Sequence, residues 1–515
     1  MSKKRLFLID GNSFCYRAFY AIRPLSNSKG QATNAVYGFV TMLNKLVKEN
    51  APDMLAVAFD MKGPTFRHKK YEEYKIHRKP MPDDLVSQMP HIRRAVAGYN
   101  IPIYEMEGYE ADDVLATIAK KAEAHGIDTF IVTGDKDALQ LVNDHIRICN
   151  PQKDNAIFDA AKVREAFGVG PEGIPDLMAL MGDATDNIPG VRGIGEKTAV
   201  ELMGEFGSLD NLYRNLDKVK GEAKRKALEE NEKTALLSRE LAITDANVPI
   251  KVDFMDLEMK PPDAPALLEL FKELEFKSLI KEFTPKSQLD SKYELVDDRK
   301  KLKRLANDLE GLKEFAFDFE TTSEDPMKAE LVGASFSWKT GHSSYVPVNK
   351  YLDRKEVLGA LKPVFEDRAI LKIGQNIKYE RIVLSNYGIR LAGDVFDTMV
   401  ASYLLNPSKL NHNLEDISIE YLGHKMTTPI EDLIGKGKKA ITMDLVDVEK
   451  VSAYCCEDSD VTFRLKKILE KELSAKGLDD LFHKVEMPLV GVLAGMEMAG
   501  ISVDTKYLAG LSCEM

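Results

Sequence analysis

Three short apolar runs, each closed by an aspartate, constrain the fold of this chain more than any other feature. Arg5 to Ile9 runs into Asp10 and Gly11, Met54 to Phe59 into Asp60, and Thr129 to Val132 into Gly134 and Asp135. Runs this short and this uniformly apolar read as strands buried on both faces, the pattern of a parallel sheet. Between the first two, Val36 to Val47 has helical periodicity, which gives the order strand, helix, strand. Open parallel sheets place ligands beyond the carboxyl ends of their strands. Here each strand delivers a carboxylate to that edge.

The stretch from Gly108 to Asp137 adds most of the remaining charge, with Glu110, Asp112, Asp113, Asp135 and Asp137. Glu110 and Asp113 are three apart, so a helix starting there puts both on one face, above an apolar stripe of Val114, Ile118, Ala119 and Ala122. Acids in a first helical turn also answer the helix dipole without any function. The further pair Asp183 and Asp186, in LMALMGDATD, shifts the balance toward a site. Like charges gathered at one edge repel unless a cation neutralises them. Hard Mg²⁺ or Mn²⁺, ligated by oxygen, suits this donor set. The number of acids suits two ions, which in two-metal sites lie about 4 Å apart and clamp a phosphodiester.

A net charge of -11 and a pI near 5.5 speak against a general nucleic-acid binder, yet the basic residues are not spread evenly. Lys62, Arg67, His68, Lys69, Lys70, Lys75, Arg78 and Lys79 crowd one segment, interleaved with Phe66, Tyr71 and Tyr74. Cations that track phosphates and aromatics that stack on bases make a strand-holding composition. Farther on, IPGVRGIGEKTA carries Gly190, Gly193 and Gly195 for a tight turn, then a helix start near Glu196 whose free N–H groups, with Lys197, face a phosphate. Leu209 to Glu240 continues as basic helices. No stretch approaches the roughly 18 apolar residues of a membrane span. Five cysteines without zinc-site spacing read as reduced thiols, so a cytoplasmic location is expected.

Taken together, FLIDGNSFCYRAFYA, AFDMKGPTFRHKKYEEYKIHR, GYEADDVLA, TGDKDALQL, GDATDNIPGVRGIGEKTA and LEFKSLIKEF make residues 1 to 283 resemble the 5′ nuclease domain of the bacterial DNA polymerase I family, a flap-endonuclease type. The resemblance implies an α/β domain with a central, mostly parallel sheet, a helical arch over about 62–95 and a helix-hairpin-helix over about 188–200. It implies that Asp10, Asp60, Glu110, Asp112, Asp113, Asp135, Asp137, Asp183 and Asp186 line a two-metal centre, directly or through water. It also implies that Lys75 and Arg78 contact the scissile phosphate and that Arg67, Tyr74 and Lys79 hold the threaded 5′ strand. Gly190, Gly193, Gly195 and Lys197 would grip the duplex backbone, with a monovalent cation at the hairpin. The substrate implied is 5′-flap or nicked DNA.

Thr284 to Lys292, TPKSQLDSK, is polar and aperiodic and reads as a linker. Beyond it, Phe315 to Glu320 alternates as a strand that turns Asp318 and Glu320 to one face. IGQNIKYERIVLSNYGI, FDTMVASYLLNP and YCCEDSDVTFRL follow, and residues 293 to 483 resemble the 3′ to 5′ exonuclease domain of the same family, a ribonuclease H-like mixed α/β fold acting on a single-stranded 3′ end. The resemblance implies Asp318, Glu320 and Asp458 as ligands of two further Mg²⁺ or Mn²⁺ ions, Tyr454 positioning the attacking water, and Asn376 on the DNA. The family has aspartate where this chain has Glu380, and the extra methylene is expected to weaken the exonuclease. Cys455 and Cys456 read as small core residues on a helix.

Residues 484 to 515 resemble the opening helix of a polymerase domain, too little to carry template-directed synthesis, so a polymerase domain or a separate polymerase is an expected partner. A non-catalytic flap-binding scaffold is the alternative. Against it, clustered carboxylates without a cation are costly to retain.

Overall fold

The computed structural model describes residues 3–153, 155–285, 290–348, 350–437 and 440–514, and the chain forms two compact units, Met1–Phe283 and Thr284–Met515. Of the expected linker Thr284 to Lys292, residues 286–289 lie outside the described residues.

The first unit is built on six strands: β1 (Arg5–Asp10), β2 (Met54–Ala58), β3 (Ile103–Tyr104), β4 (Asp128–Val132), β5 (Ile146–Asn150) and β6 (Ala156–Phe158). Their spatial order is β3-β2-β1-β4-β5-β6, parallel throughout except for β6 against β5. The apolar runs are buried on both faces because each face has its own core. Leu6, Leu8 and Ile131 pack with Val114 and Ile118 of the helix Ala111–Ala124. Phe7, Ile9 and Val132 point the other way, toward Phe39 and Leu43 of the helix Asn34–Asn50 and Leu267 of the helix Ala264–Glu273.

The strand order reverses between β1 and β4, the switch point at which such sheets open a crevice. Register brings the acids together there. Asp10 pairs with Ala58, so Asp60 lies two residues beyond; Ile9 pairs with Val132, three residues before Asp135. The helix Ala111–Ala124 starts at Glu110 in a reciprocal capping box with Asp113, which orients its first turn toward the same edge.

Residues 83–95, which the sequence reading assigns to the arch, belong instead to the helix Asp83–Gly98. Leu85, Ile92, Ala95 and Val96 bury that helix in the second core layer. The part free to arch is therefore shorter, from Lys62 to Pro82, with one five-residue helix at Phe66–Lys70.

The second unit has a mixed sheet of β7 (Lys292–Leu295), β8 (Glu314–Thr321), β9 (Leu331–Lys339), β10 (His342–Pro347), β11 (Leu371–Gly374) and β12 (Val395–Asp397), ordered β12-β11-β8-β9-β10-β7. The β8–β9 and β9–β10 pairs are antiparallel and the others parallel. A 28-residue helix, Val448–Ala475, packs Val461, Leu465 and Leu469 into the core of this sheet. Among the described residues, no helix is long and apolar enough to cross a membrane.

Candidate active sites

In the first unit an open cleft of about 1160 Å³ is lined by Asp10, Asp60, Glu110, Asp112, Asp135, Asp183 and Asp186, with Lys75, Arg78, Lys79 and Lys136. Backbone and side-chain donors fix most of these carboxylates. Asp10 accepts from the amide of Ser13 at 3.0 Å and the hydroxyl of Thr133 at 2.9 Å. Asp60 accepts from the amide of Ala111 at 2.7 Å and from Asn12. Asp135 accepts from the amide of Asp137 at 2.9 Å, and Asp183 from the amide of Thr185 at 2.7 Å. Lys136 reaches Asp183 at 3.1 Å. The Lys75 ammonium lies 2.8 Å from Glu110 and 3.4 Å from Asp186, on a residue held at φ 57°, which is rare outside glycine.

Burial raises several of the acids, while neighbouring cations and amides hold two others low. Burial, with help from Asp60 and Asp135, lifts Asp10 to about 6. Burial and the charges of Asp10 and Asp135 push Asp112 well up, and burial with Asp135, Asp186 and Asp183 does the same for Asp137. Burial would also raise Glu110, but Lys75 and Arg67 outweigh it and hold the carboxyl low. The Thr185 amide and Lys136 overcome burial at Asp183 in the same way. Two oxygens, Asp112 Oδ1 and Asp137 Oδ1, are buried with no hydrogen-bond partner. Unpartnered carboxylate oxygens facing like charges are a donor set that fits divalent cations.

Three sequence expectations change. Asp113 is fully buried away from the cleft, where both its oxygens accept from Arg67 at 2.8 Å. Arg67, expected on DNA, is only 3% exposed; it also donates to the carbonyls of Leu241 and Ile243 and to Glu110. Tyr74 is 3% exposed and its hydroxyl faces Glu110 and Asp186 at 3.2 and 3.3 Å, so it braces acids and cannot stack on a base. Arg78 and Lys79 remain exposed at the cleft. The bracing residues Asn12, Thr133 and Lys136 escaped the sequence reading, although each sits beside an acid in the motifs quoted.

At the hairpin, Gly190 and Gly193 have φ of 63° and 88°. Gly190 is packed so closely on Gly182 that a Cβ would lie 2.4 Å from its nitrogen. Gly195 precedes the helix Glu196–Phe206, and Lys197 is exposed on its first turn.

In the second unit Asp318 and Glu320 leave one face of β8 toward Tyr454, Cys455 and Asp458 of the long helix. Burial raises Asp318 to about 7, and it pushes Glu320 and Asp458 well up, with mutual repulsion adding to both. Tyr454 hydrogen-bonds Asp458. Glu380 is buried and raised by burial and by Asp318, and its Oε2 has no partner. Asn376, at φ 65°, caps the helix Ile377–Asn386, and Asp397 accepts from the amides of Asn376 and Ile377. Asp397 is a positioning residue that the sequence reading passed over. Cys455 is buried as expected, but its thiol stands 3.5 Å from the Asp318 carboxylate.

The folds and sites together define a chain with two nuclease-type domains. Residues 5–168 match the N-terminal, resolvase-like domain of 5′-3′ exonucleases, residues 169–265 their C-terminal SAM fold, and residues 293–474 the 3′-5′ exonuclease domain. The DNA polymerase I of Pseudomonas aeruginosa is 41% identical over 545 residues, covering 100% of this chain and 60% of the relative. That of Bacillus caldotenax is 36% identical over 527 residues, covering 100% of this chain and 58% of the relative. A solved T5 5′-exonuclease with bound zinc ions aligns with a TM-score of 0.41 at 20% identity, over 54% of this chain and 99% of its own. The chain belongs to the DNA polymerase I family over its nuclease domains, and spans about 60% of the length of these relatives.

Proposed function

We propose that the first unit is a structure-specific 5′ nuclease that hydrolyses DNA phosphodiesters at flaps or nicks with two Mg²⁺ or Mn²⁺ ions. The observation that carries this reading is the cleft of carboxylates rimmed by exposed cations, with a buried, unpartnered oxygen on Asp112 and another on Asp137, which feels the charges of the cleft's Asp135, Asp183 and Asp186. When bound, divalent cations supply Lewis acidity and charge neutralisation at a phosphodiester. Asp10, Asp60, Asp112, Asp135, Asp137, Asp183 and Asp186 would hold them, with Glu110 fixed by Lys75 and Tyr74. Arg78 and Lys79 bind the phosphates of the 5′ strand, and Lys75 keeps Glu110 and Asp186 in place while offering charge to the reacting phosphate. The turn at Gly190 to Gly195 would grip the duplex through its backbone amides and Lys197, and its carbonyls would hold a monovalent cation that adds positive charge there.

The second unit would act on single-stranded 3′ ends, with Asp318, Glu320 and Asp458 holding metal, Tyr454 orienting water and Asn376 against the DNA, at a rate lowered by Glu380. A cytoplasmic role in replication and repair beside a polymerase, as a domain or a separate chain, fits the relatives' name. The test is a labelled 5′-flap duplex with and without Mg²⁺, using the parent chain and the Asp135→Ala, Asp137→Ala double variant. Metal-dependent cleavage by the parent alone, with flap binding retained by both, is expected. Tight flap binding without cleavage at any metal concentration would return the scaffold reading.

A further inference from the structure

One thiol in the second unit, that of Cys455, packs in a core cluster with Val332, Tyr345 and Val451 and at the same time points its sulfur at the carboxylate of Asp318. The Sγ of Cys455 lies 3.5 Å from Asp318 Oδ2 and 3.7 Å from the Asp318 carbonyl oxygen. Ligand atoms of Asp318, Glu320 and Cys455 all lie within 4.8 Å of one another. In a tetrahedral site with metal–sulfur and metal–oxygen bonds of about 2.3 and 2.05 Å, the sulfur–oxygen edge is about 3.6 Å, close to the separation seen. The neighbouring Cys456 shows the contrast, since its thiol turns to the hydroxyls of Ser343 and Ser452.

A second observation points to the same spot. Glu380 is 4% exposed, its Oε2 has no partner, and Asp318 is the charge that acts on it most strongly. A buried carboxylate oxygen without a donor, set against a second carboxylate, is a donor short of a cation. Sulfur changes which cation suits it. Magnesium takes oxygen ligands and near-octahedral geometry, whereas thiolates favour zinc and other soft or borderline ions.

We propose that Cys455 is a metal ligand, making the 3′ to 5′ exonuclease site a mixed thiolate–carboxylate site that selects Zn²⁺ over Mg²⁺. It rests on reading Asp318 and Glu320 as metal-holding residues and adds the sulfur to them. On binding, the S–H bond breaks, its proton leaves to solvent, and the freed sulfur lone pair makes the bond to the ion; no redox change is involved.

The metal-free full chain is titrated with Co²⁺ and read by near-ultraviolet absorption, where a cobalt–thiolate bond gives a charge-transfer band, and Zn²⁺ affinity is taken by competition. The expected result is a band in the parent and in Cys456→Ala that is absent in Cys455→Ser and in Asp318→Ala. Zn²⁺ binding at this site should weaken at least about tenfold in Cys455→Ser, since even loss of an outer-shell partner costs about 10–100-fold. Mg²⁺ affinity should stay unchanged. The unfolding transition of Cys455→Ser, followed in parallel, shows that the fold survives. Asp318-dependent Co²⁺ binding without a thiolate band would overturn the inference and leave the carboxylate metal site standing. Absence of any Asp318-dependent binding would overturn both.

Discussion

Replacing Arg67 tests how the first site is held rather than how it reacts. Its guanidinium makes a two-pronged pair with Asp113 at 2.8 Å on each arm, and donates to the carbonyls of Leu241 at 2.9 Å and Ile243 at 2.8 Å and to Glu110 at 3.3 Å. Asp113 is fully buried. Its remaining donors are the amides of Asp245 and Glu110. Arg67→Ala therefore strands a buried carboxylate and two carbonyls, and breaking a buried pair from one side costs about 3–5 kcal/mol. Arg67→Lys keeps the charge but cannot span both oxygens and both carbonyls, and should lose part of that amount. Denaturant unfolding followed by circular dichroism measures the loss. The single tryptophan, Trp338, lies in the second unit, so its fluorescence transition serves as an internal control that should not move. At a temperature where the variant is folded, flap cleavage should also fall, because Glu110 loses one of its two cations, while flap binding stays near the parent value. A loss below about 1 kcal/mol, the range of an exposed ion pair, would refute the strut. A selective loss of flap affinity would instead restore Arg67 to the DNA-contacting set.

Three further outcomes are expected. Asp10 and Asp318 have folded-state values of about 6 and 7 against an ordinary 3.8, so in that window the native chain holds protons that the unfolded chain releases. Without metal, stability should then fall as pH rises from about 4 to 7, and saturating Mn²⁺ should remove most of the fall; a metal-free unfolding midpoint that climbs over this range would contradict it. The depressed Glu110 and Asp183 act in the opposite sense only below the usual carboxylate range. Glu380→Asp should raise degradation of single-stranded 3′ ends, by up to about a hundredfold if the extra methylene misplaces the carboxylate by about 1 Å, and an unchanged rate would show that Glu380 already sits well. Gly190→Ala and Gly193→Ala both pay about 1–2 kcal/mol for a left-handed backbone, but only the first also meets Gly182, with a Cβ 2.4 Å from its nitrogen. Gly190→Ala should therefore lose clearly more stability and duplex affinity, and equal losses would rule out close packing at that turn.

The parallel sheet and its row of carboxylates were legible because both follow from local chemistry. A strand buried on both faces must be apolar throughout, and the polar residue that ends it must lie at the sheet edge. Asp10, Asp60 and Asp135 needed no knowledge of what they face. Arg67 and Tyr74 were misplaced because a basic, aromatic segment has the same composition whether its side chains reach outward for DNA or inward for Asp113, Glu110 and Asp186. The partners that decide it stand 46 and 36 residues away in Asp113 and Glu110. The arch was drawn too long for a related reason. Asp83 to Gly98 is charged at both ends of its exposed face, while the residues that tie it down, Leu85, Ile92 and Val96, are buried in a core layer whose other half comes from distant helices. Cys455 read as core because a small residue on a buried helix face is usually that, and only the approach of β8 shows what its thiol touches.

The two sites balance their charge by different means. Around the first, Asp10, Asp60, Glu110, Asp112, Asp135, Asp183 and Asp186 share the cleft with Arg17, Lys75, Arg78, Lys79 and Lys136, so the chain itself offsets much of the acids' charge. The cations supplied by the chain itself keep Glu110 and Asp183 ionised before any metal arrives, so part of the site is already charged and fixed. In the second unit no lysine or arginine is among the groups that set the charge state of Asp318, Glu320 or Glu380. Those carboxyls can be tolerated in their buried position only by holding protons or by sharing a cation. The first site is thus braced from within and the second depends on what it binds. That makes the second the site whose metal identity has most to gain from one added ligand, the thiol of Cys455.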